Sequence, residues 1–251
     1  MTFGWTILLA GGLALALTMT WQCVLTPWLR RFHDDDAGLG FLVHLSNVWC
    51  RLIHRVRFEG LEHLHAAGSD GPLLFVGNHT GGIDPLLVMA VPKRLRRMVY
   101  WLMARDMMLG ALDDVWRLSR VLPVDRTKPD SASLRRALRL LKSGECVGIF
   151  AEGRITRPRG SIRPFMDGVG MLATRGGATV VPVLIDGTPD TDSIAVGVFW
   201  PSRSCVRFLE PIRFDRTTSP QEASNMLRQR LIDASGWPPI DEAMPLQIGD
   251  G

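Results

Sequence analysis

No Gly-x-Ser-x-Gly elbow occurs in the 251 residues, which removes the exposed serine nucleophile of a serine hydrolase. His-Glu-x-x-His is missing too, and His63 and His65 stand apart from acids at useful spacing, so a zinc hydrolase has no ligand set and both read as surface residues. Cysteine is scarce: Cys23, Cys50, Cys146 and Cys205 are scattered without a Cys-x-x-Cys pair and read as ordinary buried thiols of a reducing compartment. No aromatic-interleaved basic motif supports nucleic acid as a partner, and no internal repeat is visible.

Charge is missing from one long stretch. Gly4 to Trp28 carries no charged residue and is long enough to cross a hydrocarbon core of about 30 Å as a helix. Arg30 and Arg31 follow at once, and Trp21 and Trp28 near that basic end suit a headgroup belt with the arginines on the cytoplasmic side. The "MTF" before it has no Lys or Arg, and the apolar run is too long for a cleaved signal peptide. A membrane helix is the expectation.

After the polar "HDDDAGLG", Phe41, Leu45, Val48 or Trp49, Leu52 and Val56 recur at helical spacing, with Arg51, His54 and Arg55 on the other side. This predicts an amphipathic helix that rests in the lipid interface or packs on the domain. From Arg55 onward, apolar runs alternate with helical patterns: "PLLFVG" then 85–91, "MVYWLMA" then 109–118, "VLPV" then 131–142, "CVGIF" then 165–175, and "TVVPVLI". "CVRFLEPIRF" reads as further strand, and Ser219, Pro220 and Glu222 open a last helix running to about Ala234. The alternation predicts an α/β fold with a largely parallel central sheet flanked by helices. The division is 1–55 for membrane-anchoring helices, 56–236 for the α/β domain and 237–251 for an irregular tail.

The net charge of +4 is modest but clustered, at Lys93, Arg94, Arg96 and Arg97, at Arg135, Arg136, Arg139 and Lys142, and at Arg154, Arg157, Arg159 and Arg163. Such patches suit anionic lipid, a phosphorylated substrate or an acidic carrier. Four strand-end loops hold the candidate chemistry, where open α/β sheets place their ligand sites. "GNHTGGIDP" offers His79 as a base and Asp84 as the acceptor that holds its second nitrogen, Asp84 reading equally as a helix cap. Gly81 and Gly82 would close the turn and leave room for substrate. "FAEGRITRPRG" joins a carboxylate, a glycine and arginines in a phosphate cradle, "VLPVDR" adds Arg126, and "VVPVLIDG" is the fourth.

In order and interval these blocks resemble the glycerolipid acyltransferase family that includes the bacterial 1-acylglycerol-3-phosphate acyltransferases, over about Val56 to Ile185. The third block departs from Phe-Pro-Glu-Gly-Thr-Arg-Ser, with Ala151 for proline and "GRIT" after the glutamate. That form, with the downstream Asp167, Gly168, Val169 and Gly170, is similar to the bacterial 2-acylglycerophosphoethanolamine acyltransferases. The resemblance implies a membrane-bound O-acyltransferase moving an acyl chain from acyl-CoA or acyl carrier protein to a lysophospholipid hydroxyl. The implied acceptor is 1-acylglycerol-3-phosphate, with lysophosphatidylethanolamine and lyso-ornithine lipid as alternatives. It implies His79 as general base and Asp84 as its orienter, with Arg126, Glu152, Gly153, Arg154 and Arg157 around the substrate. Backbone N–H groups near Gly81, Gly82 or Gly153 would be oxyanion donors. No metal or redox cofactor is implied, and the location is the bacterial inner membrane with the catalytic domain on the cytoplasmic face. A reading of another class is a non-catalytic, membrane-anchored lipid-binding protein on the same fold. Retention of both His79 and Asp84 speaks against it, because binding alone needs no base.

Overall fold

The computed structural model describes residues 16–30, 37–68, 70–89, 97–108, 110, 113–125 and 131–241. Residues 16–30 form helix α1, which contains a π turn at Trp21–Leu25. Helix α2 follows at Ala37–Leu52, then β1 (Arg57–Glu59), α3 (Leu61–Ala66), β2 (Leu73–Gly77), α4 (Asp84–Met89) and β3 (Val99–Ala104). The chain continues through α5 (Asp113–Leu118), β4 (Leu122–Val124), α6 (Ser131–Lys142), β5 (Cys146–Phe150), α7 (Asp167–Arg175) and β6 (Thr179–Asp186). It closes with α8 (Ile194–Phe199), β7 (Cys205–Phe208) and α9 (Pro220–Ser235).

The seven strands form one sheet in the order β1-β7-β6-β2-β5-β3-β4. Every neighbouring pair is parallel except β6 with β7, so the expected largely parallel α/β sheet is present. The central strands β2 and β5 are buried along their whole length, which is why they read as continuous apolar runs rather than alternating ones. Successive residues point to opposite layers. Leu73 and Phe75 pack with Leu87, Val88, Trp101 and Phe208 on one face, while Leu74 and Val76 pack with Leu141, Leu172 and Leu227 on the other. Each such fully buried side chain stabilises the fold by roughly 1.5–3 kcal/mol.

Ser219 caps α9 by accepting from the Glu222 N–H at 3.2 Å, with Pro220 in the first turn. The "CVRFLEPIRF" strand stops at Phe208, and Ile212 makes only an isolated antiparallel bridge with Val180. Cys50 is buried, and burial pushes its thiol up to about 12, but Cys23 is exposed and Cys205 half-buried, so the expectation of four buried thiols is corrected.

The expected N-terminal membrane helix falls only partly within the described residues and is not confirmed. Among the described residues no helix is long and apolar enough to cross a membrane. Of the expected span, 4–15 lie outside the described residues, and 16–28 belong to α1, with Leu17, Met19, Trp21, Val24 and Leu25 exposed. Helix α1 packs on α2, where Trp28 and His44 meet edge to face at 5.0 Å. Helix α2 seats Val43 and Cys50 inward and ties Trp49 Nε1 to the Val198 carbonyl at 2.8 Å. The stripe expected to pack or meet lipid, Phe41, Leu45, Val48 and Leu52, is left exposed on its other side.

Candidate active site

Strands β2 and β5 lie in register so that Gly77 is level with Phe150, and β6 brings Val183 to the same level. The chain leaves β2 towards β3 on one side and leaves β5 towards β6 on the other. The two connections cross over one another's strand on opposite faces, with Leu87 of α4 in one core layer and Leu172 of α7 in the other, so a crevice opens between them at the C-terminal ends, where both motif loops sit.

Asn78 continues the ladder with its side chain, donating Nδ2 to the Ile185 carbonyl at 2.9 Å and accepting the Ile185 N–H at 2.8 Å. This fixes the start of the turn. Five residues after His79, the fully buried Asp84 turns back towards it, and His79 Nδ1 lies 2.9 Å from Asp84 Oδ2. The same oxygen accepts the backbone N–H groups of Thr80 at 2.6 Å and Gly81 at 3.0 Å. The carboxylate therefore holds the turn rather than capping its own helix, whose Leu86 and Leu87 N–H groups go to the Ile83 carbonyl. Only 15 % of the His79 side chain is exposed.

The two glycines of this turn also lie against a second loop. A Cβ on Gly82 would stand 2.5 Å from the Asp192 carbonyl oxygen, and one on Gly81 3.0 Å from Thr188 Oγ1. Both positions admit the close approach of the 188–192 loop. The N–H groups suggested for an oxyanion are also engaged: Gly81 with Asp84, Gly82 with the Thr191 carbonyl, and Gly153 with the Phe150 carbonyl.

Glu152 is buried at the start of the loop after β5. It accepts the His79 N–H at 3.0 Å, the Arg163 N–H at 3.0 Å and the Thr156 hydroxyl. Thr156 in turn donates its N–H to the His79 carbonyl at 2.8 Å, so the two loops are sewn together around His79. Burial pushes the Glu152 carboxyl above its ordinary range, against the pull of these donors. Gly153, at φ 73°, takes the left-handed conformation that turns the chain after it.

The arginines divide by role. Arg157 Nη1 donates to the Thr80 and Thr156 carbonyls at 3.1 Å, and Nη2 pairs with Asp192 and lies 3.5 Å from Asp190. Arg159, part of the expected phosphate cradle but not named among the residues around the substrate, donates to the carbonyls of Thr80, Thr188 and Pro189 and to Thr188 Oγ1. Both guanidinium groups thus staple the His79 turn to the 188–192 loop. Arg154 is half-buried beside Gly153, and Arg126 lies outside the described residues. Thr80, Thr156, Thr188 and Asn78 were also missed, since hydroxyls and amides in loops carry no spacing signature. Among the described residues no group of three or more His, Cys, Asp or Glu is placed to hold a metal.

The chain resembles proteins of one kind. It is 28% identical over 166 residues to a chloroplast 1-acyl-sn-glycerol-3-phosphate acyltransferase of Arabidopsis thaliana, a match covering 64% of this chain and 43% of that protein. It is 28% identical over 149 residues to a Bacillus subtilis protein named 1-acyl-sn-glycerol-3-phosphate acyltransferase, covering 59% and 70% respectively. The chain thus spans less than half the length of the Arabidopsis relative. The fold is that of the 1-acyl-sn-glycerophosphate acyltransferase PlsC of Thermotoga maritima, with a TM-score of 0.64, 19% identity and coverage of 94% and 97%. The family model described as Acyltransferase matches residues 55–186, which is more than half of the chain and takes in His79, Asp84 and Glu152; the chain belongs to the acyltransferase family.

Proposed function

We propose that the protein is an O-acyltransferase that transfers a fatty acyl group from an acyl-CoA or acyl carrier protein thioester to the free hydroxyl of a lysophospholipid, 1-acylglycerol-3-phosphate first. The observation that carries this reading is the His79–Asp84 pair. With Nδ1 held by a buried carboxylate, Nε2 is the nitrogen left to take a proton. The acceptor hydroxyl gives its proton to Nε2 as its oxygen bonds to the thioester carbonyl carbon. Asp84 stabilises the imidazolium formed, and collapse breaks the C–S bond while the imidazolium returns the proton to the departing thiolate. The products are a new ester and a free thiol, and the step balances without a metal or redox cofactor.

Arg154 and Arg126 are assigned to the acceptor phosphate. Arg157, Glu152 and Gly153 shape the wall around it, with Arg157 and Glu152 bonded to neighbouring protein groups. The relatives' names favour the lysophosphatidate acceptor. The exposed apolar stripe of α2 and the exposed side chains of α1 favour a lipid surface, and we place the domain on the cytoplasmic face of an inner membrane.

The test is thiol release from a long-chain acyl-CoA in the presence of lysophosphatidate, lysophosphatidylethanolamine or lyso-ornithine lipid. Lysophosphatidate should give the highest kcat/KM. Equal or greater release with another acceptor overturns the head-group assignment, and no release with any, including with acyl carrier protein as donor, leaves a lipid-binding protein instead.

A further inference from the structure

His79 has a second neighbour that the hydrogen-bond network does not include. The Phe150 ring, at the end of β5, stacks on the imidazole with centroids 4.4 Å apart and planes at 22°. Trp101, from β3, stacks in turn on Phe150 at 4.9 Å and 21°. Three rings from three strands or strand ends therefore stack in succession, with Phe150 and Trp101 buried.

The backbone is cleared for this arrangement. A Cβ on Gly148 would stand 2.5 Å from Trp101 Cε3, so any side chain there displaces the indole. Among the described residues Trp101 Nε1 is buried without a hydrogen-bond partner, although indole N–H groups in cores ordinarily find one. The indole position is set by its ring contacts rather than by its polar atom.

The Cγ tether and the hydrogen bond at Nδ1 together set the imidazole plane, but a hydrogen bond tolerates donor angles about 30° from linear, so residual tilt of the ring remains. A flat neighbour on one face removes this freedom, and an aromatic face also favours the cation formed after proton uptake. We infer that Phe150, backed by Trp101, is a positioning residue for acyl transfer, holding the His79 plane so that Nε2 meets the acceptor hydroxyl. This rests on the base role proposed above for His79.

Phe150→Leu keeps an apolar side chain and removes the ring face, whereas Phe150→Tyr keeps the face. The expected result in the thiol-release assay is a kcat lowered about 10- to 100-fold in Phe150→Leu, with acceptor KM within about twofold, and recovery to within about threefold of wild type in Phe150→Tyr. Thermal unfolding identifies folded variants. Should Phe150→Leu fail to fold, Trp101→Leu against Trp101→Phe makes the same comparison one ring further out: loss in the first and retention in the second supports the inference, and equal behaviour overturns it. A folded Phe150→Leu with wild-type kcat, or an equal kcat loss in folded Leu and Tyr variants, also overturns it. Active wild type with those results removes this inference alone, while wild type that releases no thiol removes the function reading and this inference together.

Discussion

Asp84 and Glu152 are both buried in the loops that follow two neighbouring parallel strands, but Asp84 gathers its donors from its own loop whereas Glu152 also takes the His79 N–H from the other. Their partners differ. Asp84 spends one oxygen on the imidazole as well as on two backbone N–H groups, whereas Glu152 bonds to two backbone N–H groups and a hydroxyl and touches no ring nitrogen. A buried carboxylate in a motif is therefore not by itself a participant in proton transfer; what it holds decides whether it acts on chemistry or on loop geometry.

Substitutions should separate the two. Asp84→Asn removes the charge that fixes the imidazole tautomer, and kcat in the thiol-release assay should fall on the order of 10³-fold or more. Arg159→Ala takes away the cation joining the Thr80 carbonyl to the 188–192 loop. Unfolding in urea should detect a loss of about 2–3 kcal/mol, with kcat reduced far less than in Asp84→Asn. Glu152→Gln keeps shape and one acceptor oxygen, so kcat should drop by no more than about tenfold, which is 1.4 kcal/mol of barrier. A fall as deep as that of Asp84→Asn would erase the distinction.

The pH dependence of stability gives a subtler contrast. Burial raises the folded-state Glu152 carboxyl above its ordinary 4.5, so the folded protein keeps this proton longer than the unfolded chain. Its stabilising contribution is complete below pH 4.5 and is lost as pH rises through the raised folded value. The stability of wild type relative to Glu152→Gln should decline across that window in urea titrations. Glu59 behaves in the opposite way, because the Arg207 hydrogen bond lowers its carboxyl below 4.5. Its contribution is present above pH 4.5 and lost as pH falls through the lowered value. As this pair is partly exposed, Glu59→Gln should cost under about 1 kcal/mol at neutral pH, the smallest effect of the set.

The β2 and β5 runs were legible because strands buried on both faces are apolar without interruption, and the His79–Asp84 pair was legible because both members sit within one turn. Strand β1 was missed because it has only three residues and pairs with β7 nearly 150 residues away. The pairing of Arg157 and Arg159 with Asp190 and Asp192 was not legible, because these partners come from another loop that only the sheet order brings near. The ring stacking was invisible for the same reason: Trp101 reaches Phe150 through the β3–β5 pairing, and nothing local in "MVYWLMA" points to β5. The exposed stripe of α2 was legible as an apolar face, but periodicity does not say whether protein or lipid covers it.

The most direct test of the central claim is thiol release from acyl-CoA and lysophosphatidate by His79→Ala beside wild type, with unfolding temperatures measured on both. The account requires kcat to fall about 10²- to 10⁴-fold, the range of a lost general base, while the unfolding temperature stays near that of wild type. Folded His79→Ala protein that releases thiol at the wild-type rate would contradict it.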